Sequence, residues 1–289
     1  MPHSIQVEEK TVNGVTLIVR TAGLDNDGEL ILFLHGFPEN ATMWDPALIH
    51  MAKKGYRCIA PNQRGYSKTA RFSDISNYRS PNMVADAFAL VEAYGADQFH
   101  LVGHDWGSVI SWRMVLTNPK PILSFTAMST PHPAAQVETI AENPEQRKRS
   151  QYMWDFLQPD FVDKMLADDA AILRGYYADM PKEMIDAYVD FFDYETMTAA
   201  VSWYRIWLSD IKNTPKAQAT VPPVDSNVKI IYGINDQYTL PDNYERGKKH
   251  LTGYNVHVPL EADHWLIEMV PDLVIAEIEE HVTRFSKNK

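Results

Sequence analysis

Phe99-His100-Leu101-Val102-Gly103-His104-Asp105-Trp106-Gly107-Ser108-Val109-Ile110 is the stretch whose reading decides the fold. Its opening run predicts a strand. Glycines then frame a single aspartate, and Val109, Ile110, Met114 and Val115 follow at helical spacing. A strand that turns sharply into a helix around one polar residue is a nucleophile elbow. The central residue is held in strained backbone, and neighbouring chains pass too close for a Cβ at the flanking sites. An aspartate that merely caps the helix would account for Asp105 but not for its glycine frame.

Aspartate at the centre of the elbow, where serine is the usual nucleophile, changes the chemistry. A carboxylate is already anionic at neutral pH and attacks without help from a base. It can displace oxygen or halide from saturated carbon. A base is then needed only to hydrolyse the resulting alkyl ester.

Working outward, Ile31 to Leu34, Ile59 with its flanks, Phe99 to Val102 and Val228 to Tyr232 are short apolar runs. They alternate with amphipathic helices, the pattern of a parallel sheet covered on both faces. A further strand is expected at Val256-His257-Val258. The clearest helix starts at Ser80-Pro81, buries Met83, Val84, Ala87, Leu90, Val91 and Tyr94, and stops at Gly95. The fold class is therefore α/β, a mostly parallel sheet flanked by helices. After Thr130-Pro131-His132-Pro133 the strands cease, and aromatic-rich helical sequence continues to about Lys212. Residues 131–212 are expected to form an inserted helical cap, leaving 1–130 and 213–289 as the core. Pro215, Pro222 and Pro223 mark the return to the sheet. The rings of Trp154, Phe156, Tyr176, Tyr177, Phe191, Phe192, Trp203, Tyr204 and Trp207 serve mainly to pack that cap, with some left to line an apolar pocket.

Chain order then supplies the partners of Asp105. His35-Gly36-Phe37-Pro38 follows a strand, so the N–H groups of Phe37 and Trp106 are expected to form the oxyanion hole; Phe37-Pro38 is open to a cis bond. His264, in Asp263-His264-Trp265 beyond the last strand, is the expected base. Asp236, after Val228 to Tyr232, is the expected acid that orients it. Asp225 precedes that strand and Asp242 begins the next helix, so both rank below Asp236. His3 and His281 are expected near the termini in solvent, His257 in a strand, and His35, His104 and His132 in structural or pocket-lining positions. No histidine pair has the spacing of a metal site, and the chemistry calls for no cofactor.

The bulk properties narrow the partners. In 289 residues, 45% are hydrophobic, 22% are charged and the formal net charge is -11. Nucleic acid is an unfavourable partner for that charge, and no apolar stretch is long enough to span a bilayer. With no signal-like start and one cysteine, Cys58, expected buried in a strand, a cytoplasmic protein is expected. A homo-oligomer is compatible with these properties.

These residues together resemble the epoxide hydrolase family of the α/β-hydrolase fold. The resemblance rests on His35-Gly36-Phe37-Pro38-Glu39, Arg64-Gly65-Tyr66-Ser67, Gly103 to Gly107, Gly233 to Asp236 and Asp263-His264-Trp265, spread over nearly the whole chain. It implies that a small apolar epoxide and water are converted to a vicinal diol through an ester on Asp105. Two cap tyrosines would donate to the epoxide oxygen: Tyr204, in Ser202-Trp203-Tyr204-Arg205, and Tyr152, in Ser150-Gln151-Tyr152-Met153-Trp154. Phe37, Trp106 and Trp265 would line the substrate space. Pro61-Asn62-Gln63-Arg64 departs from the family, which more often has Asp-Leu there. Haloalkane dehalogenases resemble the same scheme, but Phe37 stands where many of them carry a halide-binding asparagine. Fluoroacetate dehalogenases follow the nucleophile with arginine instead of Trp106. A ligand-binding member without turnover is a third reading, against which the complete set of Asp105, Asp236 and His264 argues.

Overall fold

The computed structural model describes residues 4–118, 121–177, 179–213 and 221–287; His3 and Pro215 lie outside them. The chain opens with a hairpin, β1 (Gln6–Val12) and β2 (Val15–Ala22), turned by Asn13-Gly14, both at positive φ. There follow β3 (Leu30–Leu34), α1 (Asp45–Lys53), β4 (Arg57–Pro61), α2 (Ser80–Ala93), β5 (Phe99–His104), α3 (Trp106–Thr117) and β6 (Ile122–Met128). Six helices come next: α4 (Pro133–Glu142), α5 (Pro144–Arg149), α6 (Tyr152–Asp155), α7 (Phe161–Tyr176, interrupted at Ala167 to Ala170), α8 (Lys182–Phe191) and α9 (Tyr194–Asn213). The chain returns through β7 (Val228–Gly233), α10 (Pro241–Gly247), β8 (Asn255–Leu260), α11 (Leu266–Met269) and α12 (Pro271–Phe285).

All eight strands join one sheet in the order β1-β2-β4-β3-β5-β6-β7-β8, antiparallel from β1 to β4 and parallel from β4 to β8. Every residue of β3, β5, β6 and β7 is buried, as strands covered by helices on both faces require. Cys58 is buried in β4. The expected helix exists with Ser80 as its first residue, and Gly95 follows its end at φ 68.

Three strands were not among those expected: β1, β2 and β6. In β6, Ser124 and Thr126 interrupt the apolar run, and each is satisfied by a buried histidine. Ser124 Oγ pairs with His100 Nδ1 at 2.8 Å, and Thr126 Oγ1 with His281 Nδ1 at 2.9 Å. His281 is therefore a correction to the sequence reading. It lies on the inner face of α12, fully buried, and burial pushes its pKa down to about 3. His257 lies in β8, as expected.

The helices α4 to α9 are tied to the core by bonds from large side chains to main-chain carbonyls. Trp203 Nε1–H donates to Arg64 O at 2.9 Å and Trp265 Nε1–H to Tyr176 O at 2.9 Å, while the Tyr177 hydroxyl donates to Pro38 O. Among the described residues, no helix is long and apolar enough to cross a membrane.

Candidate active site

Strand order decides where the site lies. The chain leaves β3 for β4 on one side and later returns to β5 on the other, so the loops after β3 and β5 diverge and open a crevice at their carboxyl ends. Asp105 sits there between β5 and α3, with φ 47 and ψ -118. A Cβ on Gly107 would lie 2.0 Å from Leu34 O, and one on Gly103 would lie 2.6 Å from Gly107 O. Gly36 has a different reason to lack a side chain: its Cβ would fall 2.5 Å from Asp105 Cβ. That clearance brings the Phe37 N–H to Asp105 Oδ1 at 2.9 Å, beside a cis Phe37-Pro38 bond. Trp106 is the first residue of α3, where the main-chain N–H has no partner within its own helix.

His264 and Asp236 come to the same place from the loops after β8 and β7. His264 Nδ1 bonds Asp236 Oδ2 at 2.8 Å, and Asp236 Oδ1 accepts from the N–H groups of Tyr238 at 2.7 Å and Thr239 at 3.0 Å. With Nδ1 donating to a carboxylate, Nε2 is left as the basic nitrogen. It lies 3.7 Å from Asp105 Oδ2, too far for a direct hydrogen bond. Burial works to lower the His264 pKa, but the charge and hydrogen bond of Asp236, with the charge of Asp105, outweigh it and the net shift is upward.

Tyr152 from α6 and Tyr204 from α9 lie over this group, their ring centroids 6.2 Å apart. Burial, with the charge of Asp105 adding to it, holds both phenols well above their usual pKa, so both remain hydrogen-bond donors. The Trp106 ring packs edge-on against Tyr204, with centroids 5.0 Å apart. Phe37 and Phe156 pack edge-on against Tyr204 at 5.4 and 4.5 Å. Phe37, Trp265, Tyr152, Tyr204, Asp105 and His264 line one small space, and Trp106 lines its neighbour. Every site residue expected from the sequence is thus brought together. The space directly above Asp105 is narrow, about 50 Å³. A larger apolar cavity of about 380 Å³ adjoins it and shares Val109, Gln136, Met153 and Trp207 with it.

Sequence reasoning missed Tyr238, Gln146 and Glu39 around the site. Tyr238 packs edge-on against His264 at 4.9 Å and against Tyr152 at 5.1 Å. Its position two residues after Asp236 was the available signal. Gln146 is buried and holds that loop: its Nε2 donates to Tyr238 O at 2.8 Å, and its Oε1 accepts from Leu240 N at 2.9 Å and Asn243 Nδ2 at 2.7 Å. Glu39 hydrogen-bonds His104, the residue before Asp105.

Residues 29–269 match the family model described as alpha/beta hydrolase fold. The AB hydrolase superfamily protein YfhM of Bacillus subtilis (strain 168) is 29% identical over 278 residues, covering 93% of this chain and 95% of that protein. Epoxide hydrolase A of Mycobacterium tuberculosis is 28% identical, over 94% of this chain and 95% of its own length. The solved structure of an epoxide hydrolase from Bacillus megaterium in complex with an inhibitor superposes with a TM-score of 0.86 at 25% identity, covering 96% of this chain and all of that one. With the sheet order, the elbow and the family match in agreement over most of its length, the chain belongs to the alpha/beta hydrolase fold family.

Proposed function

We propose that the protein is an epoxide hydrolase that forms vicinal diols through a covalent ester on Asp105. The observation that carries this reading is the division of labour between the two oxygens of Asp105. Oδ1 accepts the Phe37 N–H, while Oδ2 faces His264 Nε2 across a gap beneath two tyrosine hydroxyls. In this reading, Oδ2 attacks an epoxide carbon from behind as Tyr152 and Tyr204 donate to the ring oxygen, which leaves carbon as an alkoxide and takes the proton of one of these hydroxyls. Oδ1 becomes the ester carbonyl oxygen, already seated on Phe37 N–H, with the Trp106 N–H as the second donor of the oxyanion hole.

Esterification also prepares the base. The charge of Asp105 is one of the groups that raise the His264 pKa, and converting the carboxylate to an ester removes it. His264 then becomes neutral more readily when it must take a proton from water. Asp236 keeps the ring oriented and balances the imidazolium that forms. The hydroxide equivalent adds to Asp105 Cγ, the diol oxygen leaves with the proton held by His264, and the proton left on the Asp105 acid returns to the tyrosine that protonated the alkoxide, which restores the carboxylate. The helices spanning 131–212 act as a cap over the core formed by 1–130 and 213–289. The neighbouring apolar cavity accepts the substituent for which the space over Asp105 is too small. The named activities of the relatives support the epoxide as substrate. A haloalkane is less favoured, because Phe37 stands where many dehalogenases carry a halide-binding asparagine. The cytosol is the proposed compartment.

His264→Gln tests this reading. The variant should accumulate an epoxide adduct that peptide mapping places on Asp105, because attack needs no base and ester hydrolysis does. An adduct elsewhere, or none where wild type turns over, defeats the scheme. In a single turnover in isotopically labelled water, the label should enter Asp105; label in the diol would mean that water opened the ring directly.

A further inference from the structure

Beside the proposed base lies a buried group of acids that the mechanism above does not use. His104 Nε2 is 2.9 Å from the main-chain oxygen of His264, and a carbonyl oxygen can only accept, so Nε2 carries a hydrogen and donates. His104 Nδ1 is 2.7 Å from Glu39 Oε2, a contact that needs one proton on either atom. Glu39 is wholly buried. Its other oxygen, Oε1, and Glu268 Oε2 are shut off from solvent, and neither meets another N–H or O–H donor among the described residues. The two carboxyl groups lie within hydrogen-bonding reach of each other. The far oxygen of Glu268, Oε1, accepts the hydroxyl of Tyr188 on α8 at 2.7 Å.

Two ionised carboxylates in contact, away from water and with no cation between them, repel each other strongly, and one proton between them removes the conflict. We propose that Glu39 and Glu268 share a single proton, completing a hydrogen-bonded chain from Tyr188 through His104 to the main chain of His264, and that Glu268 is thereby a positioning residue for the base. The proton count closes. One proton between the carboxyls, one between Glu39 and Nδ1, and one on Nε2 leave Glu39, Glu268 and His104 neutral as a set. The groups facing the pair are His104, His264, Asp105, Tyr188, Tyr177 and Tyr66, with the Gly36 main-chain N–H also directed at Glu39. Burial pushes the Glu39 pKa up to about 8 and that of Glu268 well above the carboxylate range, with the charge of Glu39 adding to the latter. Asp236 shows the contrast: its carboxylate accepts two main-chain N–H groups and the Nδ1–H of His264.

The consequence for His264 rests on the function proposed above, whereas the shared proton does not, and the test separates them. Infrared spectra of the wild-type protein at neutral pH should contain the carbonyl stretch of a protonated carboxyl group, and Glu268→Gln should weaken it. A wild-type spectrum without that band, or one unchanged in Glu268→Gln, overturns the shared proton. In single-turnover assays with an epoxide, Glu268→Gln keeps a donor to Glu39 and an acceptor for Tyr188, so it should hydrolyse the ester at nearly the wild-type rate. Glu268→Leu fills the space without either bond and should slow ester hydrolysis by about tenfold through a displaced base, leaving ester formation unchanged. Equal rates for Glu268→Leu and wild type, or equal slowing of both steps, overturn the positioning role. Band loss in Glu268→Gln with no epoxide turnover by wild type would uphold the proton and sink the function.

Discussion

The half of the site carried by the sheet and the half carried by the helices are built on different principles. Phe37, Asp105, Asp236 and His264 stand at strand ends and in the loops beyond them, where main chain meets main chain. A Cβ on Gly107, Gly103 or Gly233 would run into backbone atoms at 2.0, 2.6 and 2.1 Å. Tyr152 and Tyr204 stand on helices joined to the core by side-chain bonds to main-chain carbonyls and by ring packing. The first arrangement fixes atoms to within tenths of an ångström and tolerates almost no substitution. The second sets the shape and polarity of a space while leaving many of its residues exchangeable. In the proposed reaction the first carries the nucleophile, the base and the oxyanion hole, and the second carries the donors to the ring oxygen and the shape of the substrate space.

Substitutions that break this contrast should differ in kind. Gly107→Ala has the largest expected effect. Its Cβ meets Leu34 O and Leu34 C at 2.0 and 2.4 Å, which are backbone atoms of β3 with no flexible end to yield. The expected cost is about 4 kcal/mol or more, seen as a large fall in the denaturation midpoint or as insoluble protein. A variant that melts like wild type would show that the strand ends are looser than argued.

On the helical side the reverse is expected. Replacing Tyr152 and Tyr204 together by phenylalanine removes two hydroxyls and no ring, so the midpoint should move by only about 1 kcal/mol per lost bond. Epoxide turnover should fall by roughly 10²–10⁴-fold, the range for a lost proton donor, and Tyr204→Phe alone should fall less because Tyr152 remains. If the double variant keeps full turnover, another group, with Tyr238 the nearest phenol, opens the ring.

The same contrast explains what was legible in the sequence. The elbow could be read because strained φ at Asp105 and close approach at Gly103 and Gly107 exclude nearly every other residue. Strands β3, β5 and β7 could be read because burial on both faces leaves mostly apolar side chains, with His100, His104 and Lys229 as the exceptions. β6 escaped because Ser124 and Thr126 pair with His100 and His281, partners that only the folded sheet supplies. His281 was misread for the same reason. Tyr152 and Tyr204 resemble ordinary packing residues on amphipathic helices, and only likeness to a family distinguished them. Glu39 and Glu268 are far apart in the chain and, as carboxylates in loop and short helix, look solvated; the crevice brings them together.

The smallest effect is the most direct measure of how the sheet-borne half works. His264 has its pKa raised, with Asp236 and Asp105 together overcoming burial. Asp105→Asn removes the second of these charges while keeping the shape, and it mimics the charge state of the ester. Nuclear magnetic resonance titration should therefore show His264 losing its proton at a lower pH in Asp105→Asn than in wild type. The sign follows from linkage: a neighbouring anion favours the imidazolium, so its loss favours the neutral base. In kinetics the same shift should place the acid limb of ester hydrolysis below the pH at which His264 titrates in the free enzyme, because the ester has already discharged Asp105. A titration unmoved by Asp105→Asn would mean that the 3.7 Å separation is electrostatically silent. Asp236 alone would then set the basicity of His264, and the nucleophile would not prepare its own base.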